Sequence, residues 1–180
     1  MKKKEIKVMD YANEILQALP KGVLVVTEAE DCVNAMVIGW GTLGVEWSRE
    51  MFTIYIREGR FTRELLDRNP EFTVCIPYGK EIDKKVLGIC GGKSGRTTDK
   101  IAAAKLTLVD GEAVSTSAIK ELPLTLECKV VWQQKQEIGA IADRFHGMYP
   151  QDVDSEATGA NKDAHIAYYG EIVKAYILEE

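Results

Sequence analysis

Short runs of β-branched and aromatic residues, each cut off by turn-forming residues, restrict what this chain can fold into more than any other feature. Residues 22–27 (Gly-Val-Leu-Val-Val-Thr), 33–40 and 51–57 each read as a strand, the last with alternating polarity. A turn at 28–31 reverses the chain, so these three are expected to form an antiparallel meander. Residues 71–76 return to strand, and 122–132 and 165–178 are the longest strand-like runs of the C-terminal half. Helical spacing is confined to short pieces. One covers 11–19 and is closed by Pro20 and Gly22; another covers 60–69, with Thr62 as its cap and Pro70 as its stop. A third covers 80–90, and a further one could be capped by Thr97 or Thr98. Residues 151–162, rich in Asp, Ser, Gly and Asn, read as a surface loop. Many strands with a few short helices indicate an α+β class, mainly β, built on an antiparallel barrel. No repeat, low-complexity tract or linker divides the chain, so residues 1–180 are expected to be a single domain.

Composition narrows the function classes. The chain carries 46% apolar and 28% charged residues, enough for a continuous core without disulfides or metals. Lys and Arg number 23 against 28 Asp and Glu, and the resulting net charge of -5 disfavours nucleic acid as a partner. The one basic cluster, Lys2, Lys3 and Lys4, is expected to fray in solvent. No apolar run approaches the ~20 residues that span a bilayer, and no signal-peptide pattern opens the chain, so a soluble cytoplasmic protein without membrane contact is expected. Cys32, Cys75, Cys90 and Cys128 form no C-x-x-C pair and read as reduced core thiols.

Few chemistries find support in the motifs. His146, His165 and the scattered cysteines offer no metal-ligand spacing, so no metal site is expected, and G-x-S-x-G and H-E-x-x-H do not occur. Residues 88–94 (Gly-Ile-Cys-Gly-Gly-Lys-Ser) resemble a phosphate loop, but Leu87 stands where its first glycine belongs and a helical segment precedes it. No G-x-G-x-x-G follows a strand, which excludes an independent dinucleotide-binding unit. Ser94, Gly95, Arg96, Thr97, Thr98 and Lys100 nevertheless gather amides, hydroxyls and cations at a helix start, and Arg60 with Thr62 forms a second such cluster. Either cluster alone reads as a solvated helix cap rather than a ligand site. Two in one small domain point to a monophosphate ligand.

Four segments, in this order and spacing, carry a resemblance. They are Asn34-Ala-Met-Val-Ile-Gly-Trp40; Phe52-Thr-Ile-Tyr-Ile-Arg57 with Arg60-Phe-Thr62; Cys90-Gly-Gly-Lys-Ser-Gly-Arg96 with Asp99-Lys100; and His165 with Tyr169-Gly-Glu-Ile172. Over about residues 20–178 the chain resembles the flavin reductase-like family, the flavoredoxin branch of the FMN-binding split barrels. The resemblance implies an antiparallel, Greek-key-like split barrel with short flanking helices, holding FMN. It implies that the backbone of Asn34, Ala35, Met36, Val37, Ile38, Gly39 and Trp40 lies along the isoalloxazine ring. It also implies that Arg60, Thr62, Ser94 and Lys100 hold the ribityl phosphate, with Gly95 in the loop and Arg57 nearby. Glu58-Gly59 departs from the Pro-Ser common in relatives. Trp40, Trp47 and Tyr169 either flank the ring or belong to the core, and His165 is either a polar pocket group or a structural strand residue.

In such proteins the flavin carries the chemistry and no protein nucleophile is required. The implied activity is an oxidoreductase moving reducing equivalents from NADH or NADPH through FMN to free flavin, oxygen, iron or a redox partner protein. The implied assembly is a homodimer built on residues 166–178, with the flavin near the interface. The alternative is an FMN-binding electron carrier that does not turn over NAD(P)H; a third reading is a barrel whose flavin site has decayed into an interaction module.

Overall fold

The computed structural model describes residues 1–152 and 161–179. Among these, eight strands make one sheet: β1 (Lys2–Glu5), β2 (Val23–Ala29), β3 (Cys32–Ile38), β4 (Gly41–Glu46), β5 (Arg49–Arg57), β6 (Glu71–Ile76), β9 (Leu124–Lys135) and β10 (His165–Glu179). A separate ribbon pairs β7 (Leu108–Val109) with β8 (Ala118–Ile119). The order across the sheet is β3-β2-β6-β9-β10-β5-β4, with β1 added to β10, and every pairing among the described residues is antiparallel.

β2 is apolar on both faces because both are covered. Val23 and Val25 enter a core with Phe52, Ile54, Phe72, Val74 and Leu126, whereas Leu24 and Val26 enter a second one with Cys75, Cys90, Ile119 and Tyr176. Ile38 from one end of the strand order and Ile54 from near the other meet in the first core, so the sheet curls around it. Among the described residues four α-helices flank it: α1 (Ala12–Ala18), α2 (Phe61–Arg68), α3 (Lys84–Gly92) and α4 (Lys100–Ala104). Leu66 of α2 joins the first core and Cys90 of α3 the second. No described helix is long and apolar enough to cross a membrane.

Local details differ from the sequence reading in five places. Strand β4 intervenes after residue 40, so β5 pairs with β4 and β10 and the expected three-strand meander reduces to the β2–β3 hairpin. Lys2, Lys3 and Lys4 do not fray: they lie in β1 against residues 177–179, with Lys4 Nζ 3.6 Å from Glu179 and Lys3 Nζ 4.7 Å from the centre of the Tyr176 ring. α2 takes Arg60 at its cap position without a side-chain capping bond, and Thr62 sits inside the helix. α4 is capped by Asp99, whose carboxylate accepts from the Ala102 N–H at 3.0 Å, rather than by Thr97 or Thr98. α3 starts later than expected, where the Asp83 carboxylate accepts from the Lys85 N–H. The expected loop at 151–162 falls for the most part outside the described residues. The four cysteines are free thiols, three of them buried.

Candidate functional site

Among the described residues β3 ends the strand order with β2 as its one strand partner, which leaves its other edge without a partner strand. A cavity of about 370 Å³ lies along that edge, enclosed by the β3 segment from Asn34 to Trp40, the β5–α2 junction and the α3–α4 loop. Its size falls within the range of small-molecule sites. The Ala35 carbonyl accepts from Lys100 Nζ at 3.0 Å, so main-chain groups here serve partners other than β2.

The cavity lining is cationic: among the described lining residues are Arg57, Arg60, Lys93, Arg96 and Lys100 but no Asp or Glu, in a chain whose net charge is -5. These five differ in what they already bind. Arg96 is paired with Glu64, donates to the Gly59 carbonyl at 3.0 Å and covers the Phe61 ring. Arg57 donates to the carbonyls of Asn161, Asp163 and Met148, and so fixes a neighbouring segment. Arg60 reaches Asn161 Oδ1 at 3.2 Å. Lys100 is only 5% exposed, and its ammonium donates to two carbonyls, those of Ala35 and of Cys90 (3.2 Å). Burial pushes its pKa down, opposed by Cys90 and reinforced by Arg60.

The loop that carries Ser94 closes tightly on β3. A Cβ at Gly95 would collide with the Asn34 carboxamide and lie 2.8 Å from the Phe61 ring, so only glycine allows this approach. Asn34 is itself buried; its Nδ2 donates to Thr62 Oγ1 at 2.9 Å, and its Oδ1 has no partner among the described residues. Thr62 in turn approaches Met36 Sδ at 3.5 Å.

Aromatic rings gather around His165. Trp40, half exposed, faces His165 with ring centroids 5.4 Å apart, and Tyr55 completes the wall. The His165 pKa is pushed down to about 4, first by burial and then by Arg57 and Arg60 against the opposing Asp163, so the imidazole is neutral at physiological pH.

The model of the flavin reductase like domain matches residues 16–180. The chain belongs to the flavin reductase-like family. Its fold is shared with flavoredoxin of Desulfovibrio vulgaris (22% identity, TM-score 0.63, covering 88% of this chain and 69% of that one). The FMN-binding domain of a flavin reductases-like enzyme from Shewanella baltica aligns over 98% of this chain and 77% of its own, at 13% identity and TM-score 0.63. An NADH:FAD oxidoreductase of Streptomyces globisporus aligns at 19% identity and TM-score 0.58, over 87% of this chain and 75% of its own. No curated protein matches the chain closely enough to count as a relative.

Within this flavin reductase-like fold, the cavity brings together Asn34, Met36, Val37, Ile38, Gly39, Trp40, Arg57, Arg60, Thr62, Ser94, Gly95, Lys100 and His165, while Ala35 lies fully buried behind it. Trp47 and Tyr169 are neither lining residues nor core. Trp47 sits at a hairpin turn with φ 50°, and Tyr169 stacks on Trp132 at 4.5 Å on an outer sheet face. Sequence reasoning left out Tyr55, Phe61, Lys93 and the residues behind His165. Tyr55 was accessible through strand periodicity, because it shares a face with Arg57. Tyr149 and Gln136 gave no local signal, since only tertiary folding brings them to His165.

Proposed function

We propose that this protein binds FMN in the cavity along β3 and moves reducing equivalents from NADH or NADPH through it to a flavin or another acceptor. The observation that carries the proposal is the concentration of five cationic side chains, with no Asp or Glu among the described lining residues, around one cavity of an acidic protein. Such a site favours an anion.

The donor set suits a flavin monophosphate. An ammonium has three donors, and Lys100 uses two on carbonyls, so one donor and a full charge remain for a phosphate oxygen. Lys93, Arg60 and Ser94 line the same cavity. The open edge of β3 would offer main-chain N–H and C=O groups to the polar rim of a ring, and Trp40 would cover part of that ring. Bound FMN supplies electron acceptance and release, so the protein's task is placement.

With no dinucleotide-binding motif in the sequence to grip a nicotinamide coenzyme, weak binding is expected, with a Michaelis constant in the upper part of the roughly 1 μM–1 mM range. A homodimer is part of the proposal: Trp132 and Tyr169 present a stacked aromatic pair on an outward face of β9 and β10. Anaerobic mixing of FMN-loaded protein with NADH or NADPH tests the activity. Bleaching of the flavin absorbance by either is expected; bleaching by dithionite alone would replace the reductase with an electron carrier.

A further inference from the structure

His165 opens β10 beside Arg57 of β5, and its carbonyl accepts from the Gln136 N–H at 2.9 Å. The imidazole Nδ1 lies 2.8 Å from the hydroxyl of Tyr149, a residue only 7% exposed. That hydroxyl donates to Gln136 Oε1 at 3.0 Å. A phenol has a single proton. Once it is given to Gln136, the oxygen can only accept from the imidazole, so the ring proton sits on Nδ1 and Nε2 keeps its lone pair. Nε2 has no hydrogen-bond partner among the described residues, although His165 lines the cavity.

The surroundings hold this arrangement. The Tyr149 and His165 rings meet edge to face at 85°, and the Arg57 guanidinium stacks 4.9 Å from the Tyr149 ring centre while binding the Met148 carbonyl next to it. The charged groups acting on His165 are Arg57 and Arg60, which oppose its protonation, and Asp163, which favours it; Tyr149 is the titratable group in contact. Burial of the phenol raises its own pKa, so Tyr149 stays protonated and its proton remains available to Gln136.

We propose that Tyr149 is a positioning residue: backed by Gln136, it locks His165 in the Nδ1–H form, so the cavity presents at His165 a hydrogen-bond acceptor that selects a planar ligand group bearing an N–H donor, such as a carboxamide. The cavity thereby offers a neutral acceptor at His165 in addition to its cationic donors. The ligand assignment rests on the proposed nicotinamide reduction; the tautomer assignment does not.

The chain contains two histidines, so long-range ¹H–¹⁵N spectra of the labelled protein resolve both, and His165→Gln assigns the signals. At pH 7 the wild type is expected to show neutral His165 with Nδ1 protonated. In Gln136→Leu the phenol regains its proton for Nδ1 and the ring proton moves to Nε2, while Tyr149→Phe yields a tautomer mixture; the backbone amide spectrum verifies folding in each. An imidazolium or Nε2–H form in the wild type, or an unchanged tautomer in Gln136→Leu, overturns the assignment. With FMN-loaded protein, wild type is expected to favour NADH over the reduced 3-acetylpyridine analogue, which lacks the carboxamide N–H, by about tenfold in kcat/KM, the worth of one hydrogen bond. Gln136→Leu is expected to bring that ratio close to one; an unchanged ratio overturns the ligand selection. Absence of any NADH oxidation by the wild type strikes the proposed function, and the spectra still decide the role of Tyr149.

Discussion

Replacing Lys100 by Met removes the ammonium while keeping the buried stem, and so separates a ligand-binding cation from a structural one. Two effects act on the ligand-free protein. The carbonyls of Ala35 and Cys90 each lose a donor, which costs about 1–3 kcal/mol per stranded group. Against this, a cation that is 5% exposed, with no ion-paired carboxylate among the described residues, no longer has to be desolvated, which returns several kcal/mol. Ligand-free stability is therefore expected to change by no more than about 1–2 kcal/mol, the difference of two similar quantities. FMN affinity has no such compensation. Loss of one charge-assisted bond to the phosphate is expected to cost about 1.5–3 kcal/mol, a roughly 10- to 150-fold weaker Kd. Quenching of flavin fluorescence measures the affinity and urea unfolding measures the stability. An affinity within twofold of wild type would refute the reasoning, as would a large fall in stability that accounts for the lost binding.

Gly95→Ala places a methyl group against Asn34 and Phe61, so it is expected to lift the loop from β3, destabilise the fold by about 1–3 kcal/mol and weaken FMN binding, both read in the same two assays. His165 has a folded pKa of about 4 against an ordinary 6.5, so the unfolded chain takes up its proton first. The stability His165 contributes is complete above pH 6.5 and lost as pH falls toward 4, an effect of at most about 3 kcal/mol. Urea midpoints between pH 7 and 4.5 should fall more steeply for wild type than for His165→Gln; parallel curves would contradict this. Trp132→Lys, on the outer aromatic pair, is expected to convert a dimer of 20.0 kDa chains into monomers by light scattering, and a monomeric wild type would remove the dimer from the account.

Strands whose burial is uniform were legible because composition alone marks them. β2, covered on both faces, reads as the unbroken run 23–26, and β5 reads through its alternation of Phe52, Ile54 and Ile56 with Thr53, Tyr55 and Arg57. β4 was not legible: it contains Gly41 and Gly44 and half-exposed side chains, so its pairing is set by β5 rather than by its own propensity. β1 was hidden because its three lysines suit an exposed edge added to β10. The Ser94–Lys100 segment was legible through residue types that suit phosphate. Its detail was not, since Asp99 took the cap and left Lys100 to turn inward to carbonyls 65 and 10 residues away in sequence. The Gln136–Tyr149–His165 chain joins three segments that only the fold brings together, and no local pattern announces it.

Parallel titrations of the ligand-free protein with FMN and with riboflavin test the central claim most directly, since the two differ only in the phosphate assigned to the cavity around Lys100. The account expects FMN to bind with a shift of its blue absorbance and riboflavin to bind at least tenfold more weakly, by the loss of one or more charge-assisted bonds. Equal affinity for the two, or no binding of FMN, would contradict it.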